Sequence, residues 1–153
     1  MTTAKNRTCC IIGRRNLQKG YEPTIEFELE TLLAHGINCF FFCGLAPFEQ
    51  ACLRTLLTLH RRHYYIPFQT IFVTDAFRAD EYRICFDRVI GLYRENNAPD
   101  FDFRRYIIDQ SHYMVYFSKS HDYGGSYPAV RYGFDNGLRP INIAARKKLN
   151  DTP

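Results

Sequence analysis

The sequence predicts an α/β fold with a mainly parallel sheet between two helical layers, and three observations carry that expectation. Cys39-Phe40-Phe41-Phe42-Cys43 runs without a polar interruption, stops at Gly44 and gives way to a helical pattern. Such a run reads as a strand buried on both faces. Short apolar runs recur along the chain with helical periodicities between them. Finally, glycines fall where strands meet helices, at Gly13, Gly44 and Gly124-Gly125. Strands that alternate with helices need crossovers, and crossovers put helices on both faces of a parallel sheet.

Taken in order, residues 1 to 7 are a polar lead-in and Thr8 to Ile12 is the first strand, ending in Gly13-Arg14-Arg15-Asn16. A loop with Gly20 and Pro23 follows, and Thr24 has the chemistry of an N-cap. Ile25, Leu29, Leu32 and Leu33 then recur at helical spacing, with Gly36 where a C′ glycine belongs. After the Cys39 strand, Pro47 opens a second helix with Phe48, Cys52, Leu56 and Leu59 on one face. Phe68 to Val73 is a third strand, Ala76 to Tyr82 a helical stretch, and Arg88 to Tyr93 a further short strand. Asp75 and Asp80 read as loop and cap residues, and Asn96-Asn97-Ala98-Pro99 is a break. Phe103, Tyr106, Ile107 and Gln110 mark a helix before the strand Tyr113 to Phe117. Gly124-Gly125 opens a last helix bearing Val130, Gly133 and Phe134, which Gly137 ends before the strand Pro140 to Ile143 and a frayed basic tail. With no repeat or linker in view, residues 1–153 read as one Rossmann-like domain, a three-layer sandwich.

The totals exclude several classes. Lys and Arg number 20 against 16 Asp and Glu, a net charge of +4. That is too little for a DNA-coating protein, and the pairs Arg14-Arg15, Arg61-Arg62 and Arg104-Arg105 are scattered, which fits an anionic small ligand better than nucleic acid. The six cysteines do not form a disulfide framework: Cys9, Cys10, Cys39 and Cys43 fall in predicted strands, where free thiols behave as small hydrophobes. No secretory leader and no membrane span is expected, so the setting predicted is a reducing cytoplasm.

The turns carry the chemistry. Glycine lets backbone N–H groups approach a ligand, and a helix start adds partial positive charge, so Gly13-Arg14-Arg15 and Gly124-Gly125-Ser126 can each hold a phosphate. A neighbouring arginine adds forked, charge-assisted hydrogen bonds. No G-x-G-x-x-G follows the first strand and no G-x-x-x-x-G-K-[ST] occurs, which argues against a nicotinamide-dinucleotide site and a P-loop. Neither Cys39 with Cys43 nor His60 with His63 completes a metal set, so no metal and no cofactor is expected. Cys43 paired with His112 or His121 stays open as a nucleophilic arrangement.

Several stretches together resemble the SLOG superfamily, the Rossmann-like group that contains the cytokinin-activating LOG proteins and the DprA/Smf proteins. The nearest likeness is to its small bacterial YpsA-like branch. Cys9-Cys10-Ile11-Ile12-Gly13-Arg14-Arg15 stands where that branch has a strand and Gly-His-Arg. Phe41-Phe42-Cys43-Gly44 to Phe48-Glu49-Gln50-Ala51 is similar to its strand, glycine, Phe-Asp and alanine. Arg105 to Tyr113 resembles its Arg-Trp-Met-Val-Asp-x-Ser-Asp-Tyr run, and Gly124-Gly125-Ser126 through Val130-Arg131-Tyr132-Gly133 to Pro140-Ile141-Asn142-Ile143 resembles its ending. The likeness spans about residues 8–143.

The resemblance implies a pocket for a nucleotide or nucleotide derivative. Gly13, Arg14, Arg15, Gly44, Gly124, Gly125 and Ser126 would hold phosphates, Arg131 would add charge, and a homodimer is implied. It also implies two functions, a binding or sensing module and a LOG-type hydrolase of the base–ribose bond. The departures favour the first. The family's histidine is Arg14 here, the turn after Gly44 is a residue short, and Arg131 occupies the acidic position of the last helix. Cleavage through an oxocarbenium-like state needs a carboxylate, which leaves Glu49 as general base or as ligand of a ribose hydroxyl. Otherwise Glu49 is a first-turn acid that complements its helix dipole. A nucleic-acid or protein-interaction domain is the third reading.

Overall fold

A computed structural model of the chain describes residues 5–13, 19–93, 103–119 and 127–146. The strands are β1 Thr8–Ile11, β2 Cys39–Phe42, β3 Gln69–Asp75, β4 Arg88–Leu92, β5 Tyr113–Tyr116 and β6 Arg139–Asn142. The helices are α1 Glu22–Ala34, α2 Pro47–Arg62, α3 Phe103–Asp109 and α4 Tyr127–Asp135. The strands form one sheet in the order β4-β3-β2-β1-β5-β6, and every pairing is parallel. This is the α/β Rossmann-like sandwich the sequence predicts.

Side-chain alternation explains why the strands carry so few polar residues. Cys9, Ile11, Phe40, Phe42, Phe72 and Val115 point to one face and pack under α1 and α2, against Ile25, Leu29, Phe48, Cys52 and Leu56. Their neighbours Cys10, Phe41, Ile71, Val73 and Met114 point to the other and pack under α3 and α4, against Ile107, Ile108, Ala129 and Val130. With helices on both faces, both residues of each alternating pair leave water, so the period-2 polar signal disappears. At about 25 cal/mol per Å² of apolar surface removed from water, this two-sided burial is the main driving force for the fold.

The element boundaries depart from the sequence reading in identifiable ways. Thr24 is not the N-cap of α1: the helix begins at Glu22 behind Tyr21, with Pro23 in its first turn and Thr24 buried there. Proline suits that turn because its missing N–H would have no helical partner. Gly36 does end α1, at φ +89. The third strand runs two residues further than Val73, to Asp75, whose side chain accepts the Phe77 N–H at 2.9 Å and opens the stretch Ala76–Tyr82 as a 3-10 helix. The last strand is shifted to Arg139–Asn142, because Asn142 turns the chain into a short 3-10 segment. Arg62 bridges to Glu26 of α1 at 2.8 Å. Beside it His63 meets Glu30 of α1 at 2.8 Å. Among the described residues no helix is long and apolar enough to cross a membrane.

Candidate functional site

Strand order reverses at β1. From there the chain builds outward through β2, β3 and β4 on one side, and returns to lay β5 and β6 on the other. The connection leaving β1 leads to α1 and the one leaving β5 leads to α4, on opposite faces of the sheet. Such a reversal leaves a crevice outside the carboxyl ends of the strands, the general ligand position in open parallel sheets. Gly13, Gly44 and Ser118 lie just beyond the ends of β1, β2 and β5.

Glu49 stands at that rim, at the third position of α2. Ala46, extended at φ −63 and ψ 164, precedes the helix, and its N–H donates to Glu49 Oε1 at 3.0 Å. This is the carboxylate half of a capping box. The box alone would leave the side chain solvated, yet Glu49 is 4% exposed. The reason is its neighbours. A Cβ at position 13 would overlap the Glu49 carboxyl outright, and one at position 44 would stand 2.9 Å from Oε1 and 3.0 Å from Oε2. The carboxyl is thus wedged between the turns that leave β1 and β2. The sequence reading gave Gly13 and Gly44 to the close approach of a phosphate; on the side where a Cβ would stand, both are filled by Glu49.

Burial pushes the Glu49 carboxyl up from 4.5 to about 7, against the opposing effects of the Ala46 N–H, the Arg104 guanidinium and the Gly44 N–H. Removing a carboxylate from water disfavours its charged form, and here that outweighs two hydrogen bonds and a cation. The group is therefore poised between acid and base near neutrality, which is what general acid–base chemistry needs and what a proton-linked binding site needs. Arg104 lies in the first turn of α3 and carries positive charge toward this rim.

A second polar device fixes the other wall. The Ser118 N–H donates to Asn142 Oδ1 at 3.0 Å, and Asn142 Nδ2 donates to the Ser118 carbonyl at 2.7 Å. The Asn142 amide thereby imitates a strand peptide and adds a rung to the β5–β6 ladder beyond Tyr116, aligned with Asn142 itself. It also accepts the Ala144 N–H at 3.1 Å.

The structure brings Gly13, Gly44 and Glu49 together. Arg131 lies on α4 with its side chain exposed and an ion pair to Asp135 at 3.5 Å. Arg14, Arg15, Gly124, Gly125 and Ser126 lie outside the described residues, as does the opening of the last helix at Gly124. The pairing of Cys43 with His112 is ruled out: Cys43 follows the carboxyl end of β2, whereas His112 precedes the amino end of β5, bonded to the Thr8 carbonyl. His121 lies outside the described residues. Burial raises the thiols of Cys9 and Cys52 well above their ordinary value, that of Cys10 up to about 12 and that of Cys39 to about 11. Those four are inert core residues. Among the described residues no three metal-ligating side chains cluster.

Arg104 and Asn142 were missed as site residues. Arg104 was visible only as half of a scattered basic pair. The position of Asn142 at the end of a strand was a usable signal, since an amide can continue a ladder that the backbone leaves. No protein-family model matches the chain, and no curated protein matches it.

Proposed function

We propose that this protein is a binding module for a nucleotide or nucleotide derivative, of SLOG type, with its ligand at the carboxyl rim between β1 and β5. The observation that carries the reading is the reversal of strand order at β1, with glycine turns and Arg104 beside it. In this reading Arg14, Arg15 and the Gly124-Gly125-Ser126 turn supply phosphate contacts from the connections that leave β1 and β5, and Arg131 adds charge. Glu49 faces a ribose hydroxyl. The SLOG resemblance further suits a bacterial homodimer, and the free cysteines suit a reducing cytoplasm. Exposed Phe77, Ile84 and Tyr93, on and around the connections flanking edge strand β4, supply apolar surface for a second copy.

A thermal-shift panel of nucleoside monophosphates, dinucleotides and nucleotide sugars tests the reading. A true ligand raises the melting temperature in proportion to RT ln(1 + [L]/Kd). A panel without any shift overturns it.

One observation favours a second reading. A buried carboxyl poised near neutrality suits a hydrolase of the base–ribose bond, with Glu49 as the working group. Release of free base from a nucleoside monophosphate, lost in Glu49→Gln, would decide for that enzyme.

A further inference from the structure

The Glu49 carboxyl is pressed against the turns that leave β1 and β2, at the rim proposed to receive the ligand. Glu49 is 4% exposed, its Oε1 accepts the Ala46 N–H at 3.0 Å, and its side chain fills the Cβ side of both Gly13 and Gly44. An anion seated against those turns from the face away from Glu49 would be separated from the carboxyl by glycine backbone and not by a layer of water. Two negative charges so placed, in a region screened poorly by solvent, repel strongly.

From this wedge we infer that Glu49 is a proton-coupled specificity residue: an anionic ligand at the carboxyl rim binds together with one proton taken from solvent onto the Glu49 carboxylate. The inference rests on the nucleotide reading above and adds to it a condition on charge. The proton balance is simple, since carboxylate plus one proton gives the neutral acid and no other bond changes. The neutral acid keeps its acceptor bond from Ala46 and no longer presents a negative charge to an anion across the turns.

Among the described residues, the groups that act on Glu49 come from the turn before α2, from α2 and from α3. Arg104 from α3 carries a fixed positive charge, Ala46 and Gly44 contribute N–H groups, and Cys52 on the same helix is held as the neutral thiol by burial. The ordinary state of Glu49 near pH 7 is a mixture of acid and carboxylate, so ligand binding has a proton equilibrium to shift.

The test is isothermal titration of the whole chain with AMP and with ADP-ribose, from pH 6 to 8.5, in two buffers of different ionisation enthalpy. ADP-ribose serves because its pyrophosphate has no ionisation in that range. Affinity is expected to fall with rising pH, by up to about tenfold per unit above pH 7, with net proton uptake that Glu49→Gln abolishes whatever the variant does to affinity itself. A flat profile in the wild type, or a slope that survives in Glu49→Gln, overturns the inference and leaves the nucleotide reading standing. Failure of both probes to bind at any pH overturns the two together. As a readout independent of the variant, the Glu49 carboxyl carbon followed by NMR should titrate at higher pH with ligand bound than without it.

Discussion

The two rims of the sheet treat buried polar groups in opposite ways. At the amino rim, Thr70 and Asp87 close on each other: the Thr70 N–H and hydroxyl donate to Asp87 Oδ2 at 2.8 and 3.3 Å, and the Asp87 N–H returns a bond to Thr70 Oγ1 at 3.3 Å. Only Asn38 Oδ1 is left buried there without a hydrogen-bond partner, among the described residues. At the carboxyl rim, Glu49 is buried between two glycine turns in a place that disfavours its ionised form. The amino rim uses polarity to lock β3 to β4. The carboxyl rim holds a group at a stability cost, and such costs are retained where a site needs them.

The comparison breaks most directly at Glu49. Folding raises this carboxyl from 4.5 to about 7, so the native state binds the proton more tightly than the unfolded chain. Its contribution to stability is full below about pH 4.5 and is lost as pH rises through about 7. Glu49→Gln should therefore exceed the wild type in stability above pH 7 by up to about 3 kcal/mol, with the gap closing toward pH 4. Urea unfolding across that range measures it, and a constant gap would show that the carboxyl does not titrate as described.

Next in size is Gly13→Ala, whose methyl must expel the Glu49 carboxyl; a loss of about 2 kcal/mol is expected. Most of that loss should vanish in the Glu49→Ala background, since the double variant removes the clash. If alanine at 13 costs the same in both backgrounds, something other than the Glu49 carboxyl opposes a side chain there. At the amino rim Thr70→Val should cost about 1 kcal/mol while leaving the Glu49 pH slope intact, because the two sites share no partner. Smallest in stability is Asn142→Ala, at about 1 kcal/mol or less. Its clearer signature is faster amide hydrogen exchange at Ser118 with β2 and β3 unaffected.

Much of the architecture was legible because two-sided burial leaves strands such as Phe40–Phe42 almost free of polar residues. Boundaries were less so, and each miss has a local cause. Thr24 had the right chemistry for a cap, but Pro23 beside it was better placed in a first turn. Asp75 looked like loop yet belongs to both a strand and a cap. At the site, Glu49 was legible as a residue of interest and its state was not. Its burial depends on Gly13, distant in sequence and adjacent only once β1 and β2 pair. The same is true of Arg104, whose relevance comes from the crossover that sets the start of α3 on this rim.

The central place of β1 has a consequence for how the chain comes together. The first of the six described strands, Thr8–Ile11, takes one neighbour from Cys39–Phe42 and the other only from Tyr113–Tyr116. During synthesis from the amino end, one side of that strand stays open until Tyr113–Tyr116 has emerged. An apolar, unpaired border is an invitation to self-association. Fragments that stop short of Tyr113 should thus collect in insoluble material or on chaperones, whereas those ending just past Ala145 should not.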